Sequence, residues 1–202
     1  MKTKIAIIFF CQALFSCNSS IRDERNTDFI KLDSIFSKVT TKNIQDFDFK
    51  TIDNNNVWNW PHSRLVQEVD SNFYKRYLKT VKVFNQWNDY QDFYLVGSSQ
   101  INEKKYFIIA QWIHNGDESN MYLIEFAQNG IISKYLKVAS QAKSPLDYIF
   151  SNSKIINSNL LRTTIKLFSD INQKVLESKD SISERIDLNE FKVIKYDSIR
   201  LK

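Results

Sequence analysis

Cysteine is almost missing from this chain of 202 residues: there are two, at positions 11 and 17. Everything after position 17 therefore lacks a thiol, which excludes disulfides, thiolate nucleophiles and cysteine metal sites from the body of the chain. Histidine is as scarce, with His62 and His114 alone, each beside a turn-forming stretch and neither in a metal-ligand spacing. Glycine occurs three times, at 97, 116 and 130, so neither a Gly-x-Ser-x-Gly elbow nor a glycine-rich phosphate loop can be built. Nucleotide enzymes and elbow-type serine hydrolases are set aside on that ground. Charge of one sign is lacking too, since 28 basic residues face 23 acidic ones. The basic residues are spread without a long run, so neither a nucleic-acid groove nor a polybasic membrane patch is indicated. The N-terminal apolar run, Ile5 to Phe10 continued by Ala13, Leu14 and Phe15, is shorter than the roughly 20 residues of a membrane-spanning helix, and Asn18-Ser19-Ser20 cuts it off.

What the N-terminus does have is an order: a charged start at Met1-Lys2-Thr3-Lys4, the apolar run, then Leu14-Phe15-Ser16-Cys17. That order is a secretory signal peptide. Its last four residues resemble the lipobox of bacterial lipoproteins. The resemblance implies that residues 1–16 are removed, that Cys17 becomes an N-terminus carrying lipid, palmitate included, and that the membrane is reached through this anchor. Two alternatives stay open, a non-lipidated signal and a buried N-terminal strand with a chance Cys. The first wants small residues one and three positions before the cut, which Ala13 with Phe15, or Phe15 with Cys17, do not supply. Each buried acyl methylene contributes about 0.8 kcal/mol, so several chains hold a protein almost permanently. Asn18 in place of an Asp favours the outer membrane, on its periplasmic or surface face. Loss of Lys2 and Lys4 leaves 26 of the 28 basic residues against 23 acidic, a charge of +3.

Residues 17–28 are polar and without periodicity, and read as a tether. One β-rich domain is expected over 29–202, a length at which about 70% of the unfolded surface is buried. Phe29, Leu32, Phe36 and Val39 recur at helical spacing and predict a helix from Asp28 to Lys38. A second helix is predicted from Ser71 to Lys79, with Ser71 as its cap. Phe47, Phe49 and Ile52 predict a short strand followed by a turn. From there, strands are predicted at Thr80–Trp87, Asp92–Ile101, Lys105–His114, Met121–Ala127, Ile131–Ala139, Tyr148–Asn157, Leu160–Ile171, Ser181–Leu188 and Phe191–Asp197. Asn129-Gly130 suits a type I′ hairpin turn between two antiparallel strands. Leu161, Thr163, Ile165 and Leu167 alternate with Arg162, Thr164 and Lys166, with Phe168 as the exception, which predicts one buried and one wet face. Residues 106–110 and 121–124 are apolar on both faces and should be central strands, covered by the helices or by a folded-over part of the sheet. The fold class is thus mainly β (α+β), an antiparallel meander, sandwich-like or partly closed, with one or two short N-terminal helices. This texture resembles small β-rich lipoproteins of the Bacteroidota type, a resemblance that carries no site residues.

Chemistry is thinly marked. Asp53-Asn54-Asn55-Asn56 looks like a calcium loop, but Val57, Trp58 and Arg64 stand where an EF-hand needs an oxygen ligand, Gly and Glu. No metal or cofactor is expected. Trp58 and Trp60 would show two rings on one face if their segment is extended, a platform for a sugar or an apolar anchor. The other reading is that they cap the core beneath Pro61, the usual fate of large aromatics. His62 with Ser63, and His114, are the candidates for an unmarked hydrolase, against the plain reading of surface histidines. The expected function is a lipid-anchored, non-enzymatic envelope module that binds another protein, as immunity proteins, inhibitors and accessory subunits do. Carbohydrate binding through Trp58 and Trp60 is the alternative, and a hydrolase near His62 or His114 the third.

Overall fold

The computed structural model describes residues 29–39, 41–53, 58–85, 90–114, 118–144, 147–169 and 176–201. The leader, the lipobox and the tether lie outside them. The protein is mainly β. Helix α1 covers residues 29–37, and its apolar spacing buries Leu32 and Phe36, with Val39 just beyond. Two short strands follow, β1 (Thr41–Lys42) and β2 (Asp46–Phe47), then β3 (Gln67–Glu68). Helix α2 is α-helical over Ser71–Phe73 and π-helical over Tyr74–Leu78. Its cap is Asp70, one residue earlier than expected, because the Asp70 carboxylate accepts the Phe73 N–H at 2.7 Å.

The long strands form a meander: β4 (Gln91–Ile101), β5 (Lys104–Ile113), β6 (Glu118–Phe126), β7 (Ile132–Lys143), β8 (Asp147–Ile156), β9 (Asn159–Ser169), β10 (Leu176–Asp187) and β11 (Lys192–Leu201). Each pairs antiparallel with the next. The β7–β8 ladder is short, from Ser140–Lys143 against Tyr148–Ser151. Past it, β8 takes β2 as a neighbour, while β1 runs parallel to β4. The segment 41–47 thus bonds β4 at one end and β8 at the other, curling the path β4–β8 towards closure.

Strands β5 and β6 are central, and both of their faces are covered. One face carries Tyr106, Ile108, Ala110, Met121 and Leu123, packed with Phe47, Phe49, Ile52 and Trp60 and with the near ends of β9 and β10 through Leu160, Ile186 and Leu188. The other carries Phe107, Ile109, Tyr122 and Ile124 under both helices and Phe84. Each anticipated cover is present, one on each face. The Lys105 ammonium pairs with Asp33, which fastens α1 to β5.

Several expectations need correction. Residues 80–85 are turns, not a strand: Phe84 N–H bonds the Val81 carbonyl, and Phe84 is buried as a plug on the helix-side core. The expected strand at 47–52 stops at Phe47, since Asp48 caps a 3-10 turn over Phe49–Thr51. The Asn129-Gly130 hairpin forms, but only Gly130 has positive φ, at 73°, and the Gly130 N–H bonds Ala127. That is a longer turn ending in a left-handed glycine beside the register shift at Glu125/Phe126, not type I′. The two-residue turns of positive φ lie instead at Asn102-Glu103 and Asn157-Ser158. Strand β9 does not have one buried and one wet face: residues 161–167 are all half-buried, and the fully buried member is Leu160. The cause is position, because β9 lies between β8 and β10 in a wing that only its near end tucks under the core.

Candidate functional site

A cleft of about 310 Å³ lies between α1, α2 and β3. Its walls include Ile35 from α1, Val69 and Leu95 from the sheet side, and Phe73 and Tyr77 from α2. Lys31, Lys38 and Arg76 stand with Glu68 and Asp70 among its polar lining. The π segment matters here. The Lys79 N–H reaches back five residues to the Tyr74 carbonyl, at 3.0 Å, and this wider turn re-aims the side chains that follow. Tyr77 packs inward on Phe73, with ring centres 4.9 Å apart, while the Arg76 guanidinium lies 5.5 Å from the Tyr77 ring. The result is an apolar floor with a rim of three cations and two carboxylates, one of them engaged in capping α2.

Trp58 and Trp60 do not share a face. Trp60 sits in a 3-10 turn, Trp60–His62, with Pro61 at its start, and is 0% exposed. Its indole N–H donates to Ser119 Oγ at 3.0 Å, and its ring meets Phe49 and Tyr94 at 5.2 and 5.0 Å. It is a core residue. Trp58 is half-exposed, 6.0 Å from Tyr148, which lies 5.5 Å from Phe150. These three rings form a surface ladder beside a shallow cleft of about 130 Å³ lined by Asp48, Lys50, Gln141 and Asn152, among others. Tyr148 and Phe150 were not singled out in the sequence. Their alternation along a strand is what any half-buried strand shows, and their nearness to Trp58 is a tertiary fact.

Both histidines neighbour one ring. His62 lies edge-on to Trp112 at 6.3 Å, and His114 lies 4.3 Å from it, tilted by 44°. His114 Nε2 is 2.7 Å from Asp92 Oδ2, so one imidazole does meet a carboxylate. The pair stands at the surface, with 37% and 29% of the two side chains exposed. The half-buried Ser63 donates its hydroxyl to the Ile52 carbonyl at 2.9 Å. A buried amide group beneath β5 and β6 holds Gln111, Asn120 and Tyr122, whose hydroxyl donates to Gln111 Oε1 at 3.2 Å. Burial, with Glu118 and Tyr135 adding to it, raises the Tyr122 pKa above the ordinary tyrosine value. The Gln111 amide also donates to Gln91 Oε1 at 3.0 Å and the Asn120 amide to Glu118 Oε1 at 2.8 Å, which ties the group to the ends of β4 and β6. Among the described residues no group of three or more His, Cys, Asp or Glu side chains could hold a metal, and no helix is long and apolar enough to cross a membrane. Of the Asp53–Asn56 cluster, only Asp53 is described.

Fold and site together define a curled antiparallel sheet with a helix-walled apolar cleft. No family model matches the chain, and no curated protein or solved structure is significantly similar to it.

Proposed function

We propose that this chain is a non-enzymatic binding module, held at the outer membrane by lipid on Cys17, that takes apolar side chains of a partner protein into the α1–α2 cleft. The observation that carries the reading is the make-up of that cleft: Ile35, Phe73, Tyr77 and Leu95 below, and Lys31, Lys38 and Arg76 around it. Apolar anchors set in a charged rim are how protein contacts combine affinity with register. The excess of rim cations selects a partner whose apolar anchor is flanked by acidic residues. The address rests on the order charge, apolar run, small residue, Cys17.

The test uses the full, tagged chain purified from its own membranes. Reversing two rim cations, Lys38→Glu with Arg76→Glu, reduces recovery of the partner about tenfold and leaves the thermal melt unchanged. Equal recovery by the double variant contradicts the cleft as the contact. Cys17→Ser moves the protein to the soluble fraction; a variant that stays in the membrane contradicts the anchor.

A second reading, carbohydrate binding, is favoured by the Trp58–Tyr148–Phe150 ladder, since sugar faces stack on exposed rings while amides and carboxylates bond the hydroxyls. On a glycan array Trp58→Ala should then abolish retention, and no retention by the unchanged chain sets this reading aside.

A further inference from the structure

The C-terminal strand β11 is the long free edge of the sheet: among the described residues it pairs with β10 alone. Ten-residue edges are a hazard that folds usually blunt. This one shows large apolar side chains on both faces, with Val193 42%, Ile194 55%, Tyr196 57% and Ile199 60% exposed. Its charges sit awkwardly within its own sheet. Lys195 stands directly opposite Arg185 on β10, a like-charge pair, and Asp197 stands opposite Ser183. The one opposite charge recorded for Lys195 is Asp197 two residues on, at 3.1 Å, an exposed contact of small worth.

From these positions we propose that β11 pairs antiparallel with the β11 of a second copy of this chain, about a two-fold axis at Tyr196. In that register Lys195 faces Asp197 of the copy, and Asp197 faces its Lys195. Val193 faces Ile199 at either end, Ile194 faces Ser198, and the two Tyr196 rings meet at the centre. Shifting the axis to Lys195 or to Asp197 sets like charges against each other, and placing it between residues leaves Lys195 facing no carboxylate of β11. The extra residue Ile194, at the β10–β11 register shift, twists one end, so the regular ladder covers residues 194–198. Beyond it Lys192 falls opposite Arg200, which closes the register against extension. Each Lys195 then lies between Arg185 of its own sheet and an incoming carboxylate, which relieves the cross-strand repulsion. Because the same patch serves both copies, the contact closes at two and does not run on into a fibre.

The experiment co-expresses two differently tagged full chains and captures one tag from detergent-solubilised membranes. The unchanged pair is expected to co-purify. Lys195→Asp in both copies, or Asp197→Lys in both, sets like charges face to face and should reduce co-capture at least about tenfold. Mixing one copy of Lys195→Asp with one of Asp197→Lys restores both opposite-charge contacts, and co-capture should return to the unchanged level. Failure of the unchanged pair to co-purify, variants that co-purify as well as it does, or no recovery in the mixed pair would each overturn the proposal. The α1–α2 cleft is untouched by these substitutions, so its own partner is read separately.

Discussion

Trp60 shows what a single side chain decides here. Its ring fills the space between Phe49, Tyr94 and the inner face of the meander, and its indole N–H is the donor that Ser119 Oγ accepts. Trp60→Phe keeps most of the volume and loses the donor, so it should cost about 1–3 kcal/mol. Trp60→Ala leaves a cavity and should cost about 3–5 kcal/mol. Trp58→Ala, at a half-exposed position, should cost under about 1 kcal/mol. Urea unfolding of the three variants checks the order; equal losses at positions 58 and 60 would contradict the placement. The spacing of the two tryptophans was legible in the sequence, but that they lie on different faces was not. Trp60 and Pro61 open a 3-10 turn, and extended-chain parity fails in a turn. His114 was equally opaque, because Asp92, which it meets, lies on the neighbouring strand 22 positions away.

At the scale of elements, periodicity gave the eight long strands and both helices within a few residues, since all but β11 bury part of a regular face, and β11 was marked by its β-branched and aromatic composition between turn residues. It misread residues 80–85 of the expected strand Thr80–Trp87, the last two of which lie outside the described residues; there Val81, Val83 and Phe84 mimic strand texture while the backbone turns to drive Phe84 into the core. Burial of an apolar cluster does not by itself say whether the chain is extended. The hairpin turns teach a similar lesson. Asn129-Gly130 carries the stronger type I′ composition, yet Asn102-Glu103 adopts that geometry, with φ of 48° and 65°, because β4 and β5 are in register up to a two-residue loop. A glutamate in the left-handed region is strained by about 1–2 kcal/mol. Glu103→Gly should therefore stabilise the protein, by up to about 1 kcal/mol once the extra freedom of the unfolded glycine is counted. A rise in the urea midpoint at unchanged slope confirms it; a fall shows the turn is held by contacts of Glu103 that relieve the strain.

For the molecule as a whole, the defining feature is one sheet doing two jobs. Strands β5 and β6 are sandwiched between the helices on one face and Phe47, Phe49, Ile52 and Trp60 on the other, whereas β9–β11 extend as a wing with half-exposed faces and an exposed edge. Amide hydrogen exchange of the Lys195→Asp variant, whose β11 has no second copy to pair with, should follow this division: β5 and β6 protected to the level of global unfolding, β11 exchanging through local opening. Uniform protection in that variant would contradict it. The same burial sets an alkaline limit. Tyr94, Tyr106, Tyr122 and Tyr148 all have pKa values raised, chiefly by burial and secondarily by nearby carboxylates, except that Asp48 is the single charge acting on Tyr148 and Tyr135 adds to Glu118 at Tyr122. In the unfolded chain these groups ionise near their ordinary value of about 10. Stability is therefore complete below that pH and is lost as pH rises from there towards the higher folded values. Tyrosinate absorbance should climb together with unfolding, and early titration of all tyrosines in a folded chain would contradict the burial.

The cleft between α1 and α2 is the part of the account on which function rests. The direct measurement is to place a photo-reactive amino acid at Asn72, which lines the cleft, and at Lys166 on the wing as a control, and to irradiate intact cells. A single protein adduct at position 72, missing at 166 and reduced by Lys38→Glu with Arg76→Glu, is the predicted result. No adduct at 72, or the same adducts at both positions, would contradict the cleft as the binding site.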